Sequence, residues 1–204
     1  MRQKTLSLTA LMLLSVVYIV SAQGISGSAH DFSSDAWSGG KICIVCHTPH
    51  NADASTADAP LWNHESTTAT FTLYASSTMD GTTGQPDASS KLCLSCHDGT
   101  VALENFGGTT GGTNFVSTGN LGTDISDDHP ISFNYNTALS TSDGELYDPA
   151  TANSGLGSTI DADMLIGGKM QCASCHDVHN TAGHANLLVK DNAGSALCLT
   201  CHDK

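Results

Sequence analysis

Apolar positions crowd the front of this chain and thin out behind it. Leu6 to Val20 form one apolar run, broken only by Ser7, Thr9 and Ser15, with Arg2 and Lys4 before it and the small residues Val20-Ser21-Ala22 after it. That pattern is a secretory signal over residues 1–22, with the mature chain starting near Gln23. The run is short and interrupted for a bilayer span, no later stretch could cross one, and no Cys follows the cleavage site to carry a lipid. After it, apolar residues come in short groups divided by Ser, Thr and Gly, which together make 67 of 204 residues. Such a pattern predicts turns and irregular coil with short helices and few strands. We place possible strand pairs around Thr70–Tyr74 and Ile131–Tyr135, and short helices just after the Cys-x-x-Cys-His units described below.

Only 39% of residues are hydrophobic and 5% aromatic, thin material for a protein-only core. Something else must supply apolar mass. The twenty acidic residues face seven basic ones, two of which lie in the export segment, so the remainder carries a formal charge of −15. This excludes nucleic acid as a partner and disfavours an acidic membrane surface.

All eight cysteines fall in four C-x-x-C-H units: Cys43, Cys46, His47; Cys93, Cys96, His97; Cys172, Cys175, His176; and Cys198, Cys201, His202. Two thiols at this spacing form thioethers to the vinyl groups of one haem, and the adjoining His reaches its iron. Zinc also takes C-x-x-C pairs, but it does not demand His after every second Cys. The spacing therefore implies four covalently bound c-type haems, about one per 45 mature residues, as the missing apolar mass.

The pattern is written twice. Lys41–Asn51 and Met170–Asn180 both contain C-x-x-C-H-x-x-H-N, and each is followed by L-C-L-x-C-H-D. The paired units span 41–98 and 170–203, joined by a connection over 99–169 within one tetrahaem domain, 23–204. A connection that long needs an organising group, and haem contacts would supply it.

Six further histidines remain. His50 and His179 each lie three residues after a proximal His, too close to reach the other face of the same haem. Each should serve a different haem, which would force haems into close pairs. His129, in Asp127-Asp-His-Pro130, is the strongest distal candidate; His30 and His64 compete for the rest, and His184 reads as a surface residue. His30 sits on a Ser- and Gly-rich arm, 24–40, able to extend up to ~40 Å at about 3.3 Å per residue, far enough to reach another subunit. Met79, Met164 and Met170 read as gap fillers rather than sixth ligands.

Taken in order, Gly27-Ser-Ala-His-Asp31, Cys46-His-Thr-Pro-His-Asn51, Pro60-Leu-Trp-Asn-His64, Leu92-Cys-Leu-Ser-Cys-His-Asp-Gly-Thr100, Asp128-His-Pro130 and Cys175-His-Asp-Val-His179 resemble the tetrahaem outer-surface c-type cytochromes of metal-reducing bacteria, above all the OmcE-type, filament-forming cytochrome nanowires. The resemblance implies coil wrapped around a four-haem core and a haem chain continuing from subunit to subunit in a homopolymer, with one subunit lending a distal His to its neighbour. It leaves open whether His30 or another non-motif His is that bridge.

The expected function is thus extracellular electron transfer by a secreted carrier, not an enzyme, between a redox donor and extracellular acceptor proteins or minerals. A monomeric periplasmic or outer-surface shuttle is the first alternative. A multihaem reductase with an open iron is the second, and six spare histidines speak against it.

Overall fold

The structure, a computed structural model, describes residues 24–204. The export segment expected over 1–22 lies outside the described residues. Among those described, no helix is long and apolar enough to cross a membrane.

Regular structure is sparse. Helix α1 covers Ala88–His97, α2 Thr137–Asp143, α3 Ile160–Met164 and α4 Cys172–Cys175. Two-residue strands β1, Phe133–Asn134, and β2, Lys169–Met170, pair antiparallel in the register Phe133↔Met170 and Asn134↔Lys169. Short 3-10 turns and coil make up the rest.

The Cys-x-x-Cys-His units sit inside these short elements rather than just before them. Helix α1 ends on the second unit and α4 is built from the third, while Cys43–Val45 and Cys198–Thr200 are single 3-10 turns. One helical turn suffices to direct two cysteines three residues apart toward one side. Helix α1 is the longest because it has a core face of its own: Leu94 is buried against Phe71 and Ile125. Gly99, in the left-handed region at φ +71°, ends the helix by returning its N–H to Cys96 O at 3.1 Å.

Three expectations need correction. Thr70–Tyr74 forms no strand pair; Thr72 makes only an isolated parallel bridge to Asp124. The strand expected over Ile131–Tyr135 shrinks to two residues. And the 99–169 connection is no bare loop: it carries α2, α3 and β1 and supplies most of the larger apolar cluster, in which Phe133, Tyr135, Ile160, Met164 and Leu165 pack with Met170, Leu197 and Cys201. Local chemistry explains the two helices. Asn136 accepts from Leu139 N–H at the start of α2, Thr159 accepts from Ala162 N–H at the start of α3, and Gly144 ends α2 at φ +74°.

Tyr135 ties this cluster to the fourth unit. It is 2% exposed, and its hydroxyl donates to Tyr147 O at 2.5 Å and to Cys201 O at 3.3 Å. Tyr135→Phe keeps the packing and removes those bonds, so chemical denaturation should register a loss of about 1–2 kcal/mol.

Candidate haem-attachment sites

In three of the four units the segment after Cys-x-x-Cys-His folds back by one rule. In the first unit Thr48 N–H donates to Leu61 O and Asn63 N–H to Cys46 O; in the third, Asp177 N–H donates to Leu187 O and Val189 N–H to Cys175 O. In the fourth the same pair of bonds joins Asp203 to Glu145 and Tyr147 to Cys201. The likeness of the first and third extends to backbone shape. Leu61 and Leu187 are both left-handed, at φ 55° and 56°, as are Asn51 and Asn180, at 56° and 52°. A non-glycine residue there costs about 1–2 kcal/mol. The same cost in both copies marks a shared local design. The 47–50 and 176–179 segments are not the helical turns expected: α4 stops at Cys175, and His176 is already extended.

That fold-back also fixes the proximal imidazoles. His47 Nδ1 lies 2.6 Å from Pro60 O, His97 Nδ1 2.7 Å from Gly119 O and His176 Nδ1 3.0 Å from Asn186 O. A carbonyl only accepts, so Nδ1 carries the proton and Nε2 is left with a free lone pair, the arrangement that orients a metal-ligating His.

Three of the four motif histidines, His47, His97 and His202, face a second imidazole. His30 lies opposite His97 with ring centroids 5.8 Å apart, His179 opposite His47 at 6.1 Å and His129 opposite His202 at 6.4 Å. Two imidazoles bound to one metal from opposite faces, each at about 2 Å, leave their centroids about 6 Å apart. The observed spacings fit an iron between each pair. His129 Nδ1 is 2.9 Å from Pro130 O, again freeing Nε2. Burial lowers the pKa of His30 and of His129, with a smaller contribution in each from the facing His97 or His202. Both rings are therefore neutral near pH 7, the state that ligates a metal.

The remaining candidates behave differently. His179 reaches a unit other than its own, as the spacing required. His50 is exposed and faces no imidazole, and His176 is likewise exposed and unfaced among the described residues. His64 faces no second imidazole among the described residues. It is 2% exposed, with Glu65 O 2.9 Å from Nδ1 and Ala102 O 3.1 Å from Nε2; burial lowers its pKa, and the neutral ring donates to one of the two. Its ring packs beside Cys96 Sγ, 3.6 Å from Nε2. The arm carrying His30 is not extended: Asn180 Nδ2 donates to Gly24 O at 3.1 Å, holding the arm on its own chain.

Neighbouring units touch in chain order: Cys172 N–H donates to Ser90 Oγ, one turn before Cys93, and Cys175 packs against the cluster that holds Cys201. Burial pushes the thiol pKa of Cys46, Cys175 and Cys201 up to about 11 and that of Cys96 up to about 12, so these sulfurs are neutral. Zinc would need thiolates converging on a point, and among the described residues no three His, Cys, Asp or Glu side chains gather that way. Sulfurs spread along an apolar wall suit a porphyrin edge instead.

Room for such a ring is clearest at the fourth unit. A cavity of about 520 Å³ has Cys198, Cys201, His202 and His129 in its wall, together with Phe133 and Leu146. Cys175 of the third unit also borders it, as do Met79, Met164 and Met170, which act there as packing. Elsewhere the apolar surface has no cover: Leu61, Leu121, Tyr147, Val178 and Leu199 are exposed, each next to a unit in sequence or through a backbone bond to it. Leu61, at 57% exposure, is the extreme. These residues fit haem as their covering group.

The family of the doubled CXXCH motif matches residues 166–204, the third and fourth units. The doubled motif marks a multihaem c-type cytochrome-like protein. No curated protein matches the chain. The doubled motif points to covalent c-type haem binding and to electron transfer, and the chain that carries it is mostly coil with a two-stranded sheet. The matched segment carries the same C-x-x-C-H, C-x-x-C-H order as residues 41–98.

Proposed function

We propose that this chain is an exported tetrahaem electron carrier whose subunits join into a filament, one subunit lending a histidine to the next. The observation that carries the reading is the three facing imidazole pairs, all within 5.8–6.4 Å and all built on a motif His. Bound haem supplies a one-electron ferrous/ferric couple, and imidazoles on both sides hold its potential below that of Met/His cytochromes. His47, His97, His176 and His202 would hold the irons, and His179, His30 and His129 would be the second ligands at the first, second and fourth units.

The third unit then needs a ligand from elsewhere, and His50 is the histidine to provide it. His50 and His179 occupy equivalent places in the repeat. His179 serves the first unit within its own chain; His50, exposed, serves the third unit of the next copy. His30 thereby loses the bridging role its position on a long arm suggested. Subunits with a formal charge near −15 repel one another, so the cross-subunit bond and buried haem edges must outweigh that repulsion, which salt screens in part.

The unfaced His176 also favours a second reading, a reductase using an open iron at the third unit. Electron microscopy of the purified protein together with the spin state of its ferric irons separates the two. Long thin fibres with uniformly low-spin irons support the filament. Dispersed subunits holding one high-spin iron in four support the reductase, and dispersed, wholly low-spin subunits a monomeric shuttle.

A further inference from the structure

The second and third units meet at a buried polar junction. Ser90, one helical turn before Cys93 on α1, accepts the backbone N–H of Cys172 at 2.9 Å and is 0% exposed. The Gln171 side chain, 1% exposed, donates from Nε2 to Asp87 Oδ1 at 2.7 Å and accepts at Oε1 from Ser132 Oγ at 3.0 Å. Asp87 N–H in turn donates to Ser132 Oγ at 3.1 Å, and Lys169 pairs with Asp87 Oδ2. The start of α1 and the start of α4 are thus bolted together through hydrogen bonds whose geometry fixes both distance and angle.

Two local departures show what this junction overrides. Asp87 is the N-cap of α1, yet its carboxylate makes no bond to its own helix, where an aspartate usually accepts from the first turn. It faces β2 and α4 instead. Ser132 sits in the left-handed region at φ 57°, disfavoured for a residue with a Cβ, and this aims its hydroxyl at Gln171. Both act where the start of α1 meets the start of α4, with Cys93 one turn beyond Ser90 and Cys172 bonded to it.

We propose that Ser90, Ser132 and Gln171, with Asp87, are positioning residues that set the separation and tilt of the second and third haems, and so the rate of electron exchange between them. The inference rests on the tetrahaem reading above. Cys93 and Cys172 are the cysteines nearest the junction, and a shift of either helix start would move the ring attached there. Ser90 and Cys93 share one face of α1, so the bond from Cys172 N–H to Ser90 Oγ transmits the position of α4 directly to the attachment point.

The test uses holoproteins. Gln171→Met keeps side-chain length and removes both amide bonds; Ser90→Ala removes the acceptor for Cys172 N–H. Ser154→Ala serves as the control, since Ser154 is equally buried and bonds Ser158 O and Asp163 away from the junction. Intact mass counts the haems, and two-dimensional NMR exchange on partially reduced protein reads each neighbouring pair. Exchange between the second and third haems should fall about tenfold in both junction variants, a fraction of what misplacement by about 1 Å can cost. Exchange between the third and fourth should hold, and Ser154→Ala should leave both pairs as they were. If Gln171→Met does not accumulate, Ser90→Ala decides alone. A full haem complement with unchanged exchange overturns the positioning role alone, as does an equal slowing in Ser154→Ala. A mass without haem overturns the underlying reading and this inference with it.

Discussion

His50→Ala should abolish fibres while leaving soluble subunits that carry the full haem complement. The argument rests on the repeat. Leu61 and Leu187, Asn51 and Asn180, and the paired fold-back bonds show the first and third units adopting one local shape. His179 projects from the third unit to face His47, whereas His50 projects from the first unit into solvent. Loss of a contact that anchors an interface typically costs about 2–4 kcal/mol, which would raise the concentration needed for assembly about 30- to 1000-fold. Subunits already repelling through their acidic surfaces have little to offset such a loss. His184→Ala, a change at a half-exposed histidine that faces no other imidazole among the described residues, should leave assembly as it was. Fibres of normal length from His50→Ala protein would exclude His50 as the bridge.

The second large effect is spectroscopic. His129→Ala should turn one ferric iron of four high-spin and leave three low-spin, because His129 is the only imidazole facing His202 among the described residues. The substitution also enlarges a cavity of about 520 Å³ whose wall holds Cys198 and Cys201, so added imidazole should enter it and restore the low-spin signal. The potential of that haem should rise, since one strong donor to the ferric state is gone. Covalent attachment should persist, because the thioethers do not depend on the distal face. Four low-spin irons in the variant would show that His129 ligates none of them.

Much of the site was legible because covalent chemistry demands local spacing. Two cysteines three apart with His following can be read without any knowledge of the fold, and so can the rule that His50 and His179 must serve units other than their own. His129 was named for its place in Asp127-Asp-His-Pro130 within the long connection, and the structure sets its ring 6.4 Å from that of His202. What could not be read was pairing across the chain. His30 on a flexible-looking arm suggested a reach to another subunit, yet Asn180 holds the arm at Gly24 and the ring lies on His97. His64 competed with His30 on sequence alone; the structure sets them apart, since the His30 ring lies 5.8 Å from that of His97 while His64 sits between Glu65 O and Ala102 O.

The fold was less legible than the site. Local propensity rightly favoured coil, but it could not place α2 and α3 in the 99–169 connection, where caps at Asn136 and Thr159 start helices too short for a periodic signal. The strand expected over Thr70–Tyr74 failed because β-branched residues there find one bridging partner, Asp124, rather than a neighbouring strand. The junction of Asp87, Ser132 and Gln171 was invisible beforehand, since its members come from three distant stretches and none belongs to a motif.

The most direct test of the whole account is the intact mass of the purified, unreduced protein. The account predicts a chain beginning near Gln23 and heavier by four haems, with none of its eight cysteines open to alkylation. A mass equal to the bare polypeptide, with free thiols, disulfides or zinc in place of thioether-bound porphyrins, would contradict it.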